Sequence, residues 1–135
     1  MIAATCCWKH TNAQTTPESI IKKYERLVKE MKADSIAQLF TTDAEVGHAD
    51  QAPVKGRDSI YRFLASFNNI KVLSNVDSIT QVTVKKDSAT VQGIYRQTVI
   101  VSGKDTVHVA GHFTSTMVAD SSKNWLICRM RTRSL

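Results

Sequence analysis

Three stretches of helical periodicity followed by four long stretches of two-residue alternation predict an α+β domain. Its helices should cover one face of a strongly curved antiparallel sheet. The connections between the alternating stretches are too short for crossovers, so the strands run as a meander. A chain of 135 residues has the size of one domain. We assign residues 17–135 to it, and residues 1–16 to a tail or the remnant of an export signal.

The opening MIAATCCWKHTNAQTT has no helical or strand period and reads as a disordered tail. Thr11 to Gln14 resembles the end of a bacterial signal peptide, whereas Met1 to Trp8 is too short for a complete leader. Export would place the protein in the periplasm or outside the cell; a plain tail would leave it in the cytoplasm. A lipid-anchored Cys6 is a third reading, against which Thr5 makes a poor lipobox. Cys6, Cys7 and Cys128 form neither a disulfide framework nor a ligand set, so no metal and no cofactor are expected.

Thr16-Pro17 starts a first helix, with the Thr hydroxyl as cap and Pro at the first helical position. Ile20, Ile21, Tyr24, Leu27, Val28 and Met31 recur at helical spacing and carry it to about residue 32. Asp34 suits the cap of a short second helix that buries Ile36, Leu39 and Phe40 and stops at Thr41-Thr42-Asp43. Ala44 to His48 then alternates as a short strand, with Val46 and His48 on one side. A polar loop from Ala49 to Lys55 leads to Gly56-Arg57-Asp58 and a third helix presenting Ile60, Phe63, Leu64 and Phe67. Asp58 complements the positive end of that helix, a structural role.

From Ile70 the period becomes two. Strands are expected at 71–85, 89–102, 105–119 and 124–133, with turns at Lys86-Asp87-Ser88, Ser102 to Asp105 and Asp120 to Asn124. On the third of these, Val107, Val109, Gly111, Phe113 and Met117 share one side, and His108 and His112 the other.

The charge balance of 18 Lys and Arg against 12 Asp and Glu gives a net +6. No zinc-finger, helix-turn-helix or aromatic RNA-binding signature accompanies it, so nucleic acid is not an expected partner. No apolar run approaches the ~20 residues of a membrane span, and a soluble protein is expected.

Helices, loop and meander in this order resemble the nuclear-transport-factor-2-like superfamily, in particular its SnoaL-like and ketosteroid-isomerase-like branches. The matching pieces are IIKKYERL, DSIAQLFTTDAEVGH, KGRDSIYRFL, GIYRQT and GHFTSTMVADSSKNWLICRMRT, covering about residues 17 to 133. The resemblance implies a cone-shaped fold of three N-terminal helices packed on a curved sheet, an apolar pocket inside, and a homodimer through the sheet's outer face. It makes Val46, Phe63, Tyr95, Gln97, Val99, Val109, Gly111, Phe113, Cys128 and Met130 the pocket wall, with Tyr24 and His48 as candidate catalytic groups. Arg96, His108, His112, Trp125, Ile127 and Arg129 would lie outside. Ketosteroid isomerases use a helical tyrosine and a strand aspartic acid as oxyanion donors and an aspartate as base. Tyr24 matches the tyrosine, His48 stands at the base position, and Gly111 occupies the place of the second donor. Half of that oxyanion site is absent, which argues against steroid isomerisation.

Each candidate has two readings. His48 is a general base for a proton beside a carbonyl, or a structural histidine bonded to a neighbour. Tyr24 is a hydrogen-bond donor to a ligand carbonyl, or core. Gln97 needs a partner for its amide, from a ligand or from water. The row Arg129, Arg131, Arg133 is a solvated or interface stripe, or an anion site and scaffold for acidic partners. Two functions follow: a binder of a small, mostly apolar molecule with cofactor-free isomerase, dehydratase or cyclase chemistry, or a non-catalytic binding or association module.

Overall fold

The computed structural model describes residues 15–135. Among them are helices α1 (Pro17–Glu30), α2 (Ala33–Ala37) and α3 (Arg57–Ala65), and strands β1 (Phe40–His48), β2 (Val54–Lys55), β3 (Ile70–Lys85), β4 (Ser88–Val101), β5 (Asp105–Ala119) and β6 (Trp125–Ser134). The strands form one curved sheet in the order β2-β1-β6-β5-β4-β3. The tail and export readings fall, up to residue 14, outside the described residues.

α1 begins as expected: Thr16 Oγ1 accepts the Ser19 N–H at 3.1 Å and Ser19 Oγ accepts the Thr16 N–H at 2.9 Å, a reciprocal capping box. It ends two residues early, because Met31 takes a left-handed conformation and closes the helix onto the Leu27 and Val28 carbonyls. α2 is shorter than expected too. Its cap position is Lys32 without a side-chain bond, while Asp34 sits inside the first turn and bonds the Ser35 N–H at 2.8 Å. Leu39 and Phe40 are buried as the helical stripe demanded, but β6 captures their backbone: the Ile127 N–H donates to the Leu39 carbonyl at 2.8 Å. Thr41 to Asp43 therefore belong to β1, and tertiary pairing overrides the local helical pattern.

β1 runs parallel to β6, so the sheet is not wholly antiparallel. Arg57 locks this corner, its Nε and Nη2 both donating to the Phe40 carbonyl at 3.0 and 2.6 Å. On β6 the register steps from Thr116↔Arg129 to Met117↔Ile127, leaving Cys128 as the extra residue of a bulge. A bulge reverses which side later residues face. Trp125 and Ile127, expected outside, are consequently core residues, and Met130 still points inward.

The core fills the space between the helices and the concave face, centred on Ile21, Phe40, Ile60, Met117 and Ile127, each at most 1% exposed. Two cross-strand pairs shape that face: Gly93 opposite Phe113, and Gly111 opposite Tyr95. In each pair the ring lies over the glycine, where a Cβ would meet ring atoms at 2.6 to 2.7 Å and a carbonyl of the next strand as well. We expect Gly93→Ala and Gly111→Ala each to cost about 1–3 kcal/mol in urea denaturation, because backbone has to move. Gly47→Ala should cost less, since its obstacle is the mobile end of Arg131. Equal stability of the three variants would contradict this.

Candidate functional site

A cavity of about 370 Å³ opens between α1, the end of β1, α3 and the concave faces of β3, β4 and β5. Tyr24 enters it from α1 at the position fixed by the helical stripe. Val46 and His48 enter from β1 through strand alternation, and Tyr95, Gln97, Val109, Phe113 and Met130 from the sheet, while Phe63 covers it from α3. Val99 lies in an adjoining cavity of about 330 Å³. Cys128 lines neither: the bulge turns it away, its thiol donates to the Thr116 carbonyl at 3.3 Å, and burial raises its pKa. Gly111 is also absent from the wall, because the Tyr95 ring covers it.

His48 is held by Thr132, its neighbour in the parallel β1–β6 register, with Nδ1 and the Thr132 hydroxyl 2.7 Å apart. The hydroxyl can donate or accept, so either ring nitrogen can carry the proton. Behind His48, Arg131 passes over Gly47 and donates to the Ala49 carbonyl at 2.9 Å, fixing the turn that ends β1. Arg131 thus differs from Arg129 and Arg133: it is half-buried and bonded, whereas they are exposed. On the outer face His108 Nδ1 lies 3.1 Å from the Thr98 hydroxyl across the strand pair, and His112 is half-buried.

Asp77 is the residue that sequence reasoning missed. It is 5% exposed and faces the cavity from β3, directly opposite Tyr95. The backbone around it is stitched to α1: Lys22 Nζ donates to the Asp77 carbonyl at 2.9 Å, and the Asp77 N–H donates to the Glu25 carboxylate. Asn75 Nδ2 donates to the Glu25 carbonyl at 3.0 Å, and its Oδ1 accepts Gln97 Nε2 at 3.2 Å. The partner that Gln97 required is therefore partly supplied by the protein. Burial pushes the Asp77 carboxyl up to about 6, with Glu25 adding to the effect and Lys22 opposing it. Tyr24 is raised well above the usual phenol range, first by burial and then by Asp77 and Tyr95, so its hydroxyl is a permanent donor. Phenol, carboxyl and imidazole thus border one largely apolar space.

A SnoaL-like domain model matches residues 18–131. The chain belongs to the SnoaL-like domain family. No curated protein matches the sequence. Among solved structures, a ketosteroid isomerase-like protein from Erwinia carotovora atroseptica is similar, with a TM-score of 0.78 at 15% identity over 87% of this chain and 92% of that one. A protein from Novosphingobium aromaticivorans, provisionally named a scytalone dehydratase, gives 0.72 at 18% identity over 87% and 80%. One from Xanthomonas campestris, provisionally named a calcium/calmodulin-dependent protein kinase II association domain, gives 0.72 at 15% over 87% and 84%. At these identities the SnoaL-like domain shares a fold with them. No described helix is long and apolar enough to cross a membrane.

The raised carboxyl has a definite consequence for stability. Below about pH 3 Asp77 is protonated in both states and burial costs little; as pH rises to about 6 the unfolded chain ionises first and folding loses stability. Asp77→Asn should therefore stabilise the domain by about 1–3 kcal/mol at pH 8 and hardly at all at about pH 3. Thermal unfolding at both pH values tests this, and a pH-independent difference would remove the buried-charge account.

Proposed function

We propose that this SnoaL-like domain binds a small, mostly apolar molecule bearing a carbonyl in a conical pocket, and that His48 and Tyr24 act on it by cofactor-free proton transfer. The observation that carries the proposal is the convergence of His48, Tyr24 and the raised carboxyl of Asp77 on one apolar cavity. The free nitrogen of His48 takes a proton from the carbon beside the carbonyl. Negative charge then develops on the carbonyl oxygen, where the Tyr24 hydroxyl stabilises it by hydrogen bonding. Returning the proton at the γ-carbon of a β,γ-unsaturated substrate completes an isomerisation; in a β-hydroxy substrate, passing it to the departing hydroxyl breaks the C–O bond, releases water and completes a dehydration. Asp77, neutral below about pH 6, serves as a second donor in place of the acid that Gly111 does not provide.

A second reading, a non-catalytic binding or association module, is favoured by two features. His48 is oriented by a hydroxyl rather than a carboxylate, and the Tyr95 ring occupies the space over Gly111. Both readings use a homodimer formed through the outer face of the sheet. Sedimentation velocity should give a dimer at micromolar concentration, and a monomer would remove the interface from both.

Proton abstraction is measured most simply as deuterium uptake, in heavy water, at the carbons flanking the carbonyl of a soluble ketone. His48→Ala should slow protein-dependent exchange by about 10²–10⁴-fold, and Tyr24→Phe by about 10²–10³-fold, with the fold retained. Bound ketone without exchange would favour the association module.

A further inference from the structure

The cavity that holds His48 adjoins a second one, and they share a wall. Tyr24, Val28, Gln97 and Val109 line both the 370 Å³ chamber and the 330 Å³ chamber beside it. Their remaining walls are both largely apolar and differ in their polar groups. The first adds His48, Gln51, Asn75, Asp77, Tyr95 and Thr132 to its apolar residues. The second adds Met31, Ile36, Leu64, Phe67, Val72 and Val99, and its polar side chains are the shared Tyr24 and Gln97.

Two segments run along both chambers. On β4, Tyr95 and Val99 stand four residues apart, about 13 Å along the strand. Phe63 on α3 covers the first chamber; Phe67, expected on the same helix, lies two residues past its end and lines the second, the two rings packed edge to face at 5.0 Å. The Gln97 amide, in the shared wall, is steadied by Asn75.

From this division we infer that the ligand is an elongated amphiphile without an anionic head: a carbonyl head in the chamber of Tyr24, His48 and Asp77, and an alkyl tail passing Gln97 into the chamber of Leu64, Phe67, Val72 and Val99. This rests on the binding reading above and narrows it to a substrate class. Head chemistry follows from the polar groups. Tyr24 presents a donor, which a carbonyl oxygen accepts. Asp77 is ionised above about pH 6, which disfavours a carboxylate head. The tail follows from the second wall, whose burial of apolar carbon tightens binding with each methylene.

Two methyl ketones, with butyl and decyl chains, are titrated calorimetrically at pH 8 into the wild type and into two variants that fill the second chamber, Val72→Phe and Leu64→Trp. Wild type should bind the decyl ketone at least about fiftyfold more tightly than the butyl ketone, given about two- to fourfold per buried methylene. Either folded filler should abolish most of that gain while leaving butyl ketone affinity within about twofold, an expectation that follows from confining the change to apolar contacts. Equal affinity for the two ketones, or a chain-length gain that survives both fillers, would overturn the inference and leave the binding proposal standing. Tighter binding of decanoate than of the decyl ketone would overturn the carbonyl head. Failure of every compound to bind would overturn the binding proposal together with the inference.

Discussion

The concave sheet depends on two places where an aromatic ring rests on a glycine of the neighbouring strand. A side chain at Gly93 or Gly111 would strike both a ring and a carbonyl, so these positions have to be bare for Phe113 and Tyr95 to lie flat against the sheet. With the rings folded down, the space above them stays open and becomes the floor of the cavity. The same packing leaves no room on β5 for an acid at Gly111. Tyr95 has taken its volume, and the protein presents its carboxyl from β3, one strand further from Gly111 in the Asp77–Tyr95–Gly111 row.

That carboxyl is positioned by α1. Lys22 and Glu25, one helical turn apart, both bind the Asp77 backbone, while Asn75 returns a hydrogen bond to the Glu25 carbonyl. Helix α1 therefore positions the Tyr24 phenol and the Asp77 carboxyl together. Burying an acid in this way opposes folding near neutral pH. Such a group at the wall of an open cavity, with a phenol and an imidazole on the same cavity, has the features of a functional site.

Much of this was legible from periodicity. The stripe of α1 gave Tyr24 its inward face, and alternation gave Val46, His48, Tyr95, Gln97, Val109 and Phe113 theirs. What periodicity could not supply was the bulges. Counting back from the Lys86-Asp87 turn pairs Tyr95 with Ser78 and turns Val76 inward, as hydrophobicity alone would suggest. An extra residue at Thr80 shifts the register, so Asp77 is buried and Val76 is half exposed. On β6 the bulge at Cys128 has the same effect: it removed Cys128 from the pocket wall and brought Trp125 and Ile127 into the core. Leu39 and Phe40 kept the burial their helical spacing implied but left the helix, because hydrogen bonding to β6 outweighs the local helical preference.

The proposed function depends on one contact, that of a bound carbonyl oxygen with the Tyr24 hydroxyl. A crystal structure of the domain saturated with decyl methyl ketone tests it directly. The predicted result is a ligand whose oxygen lies within hydrogen-bond distance of the Tyr24 hydroxyl, with its flanking carbon against His48 and its chain beside Val99. A cavity filled by water, with the ketone bound elsewhere or not at all, would contradict it.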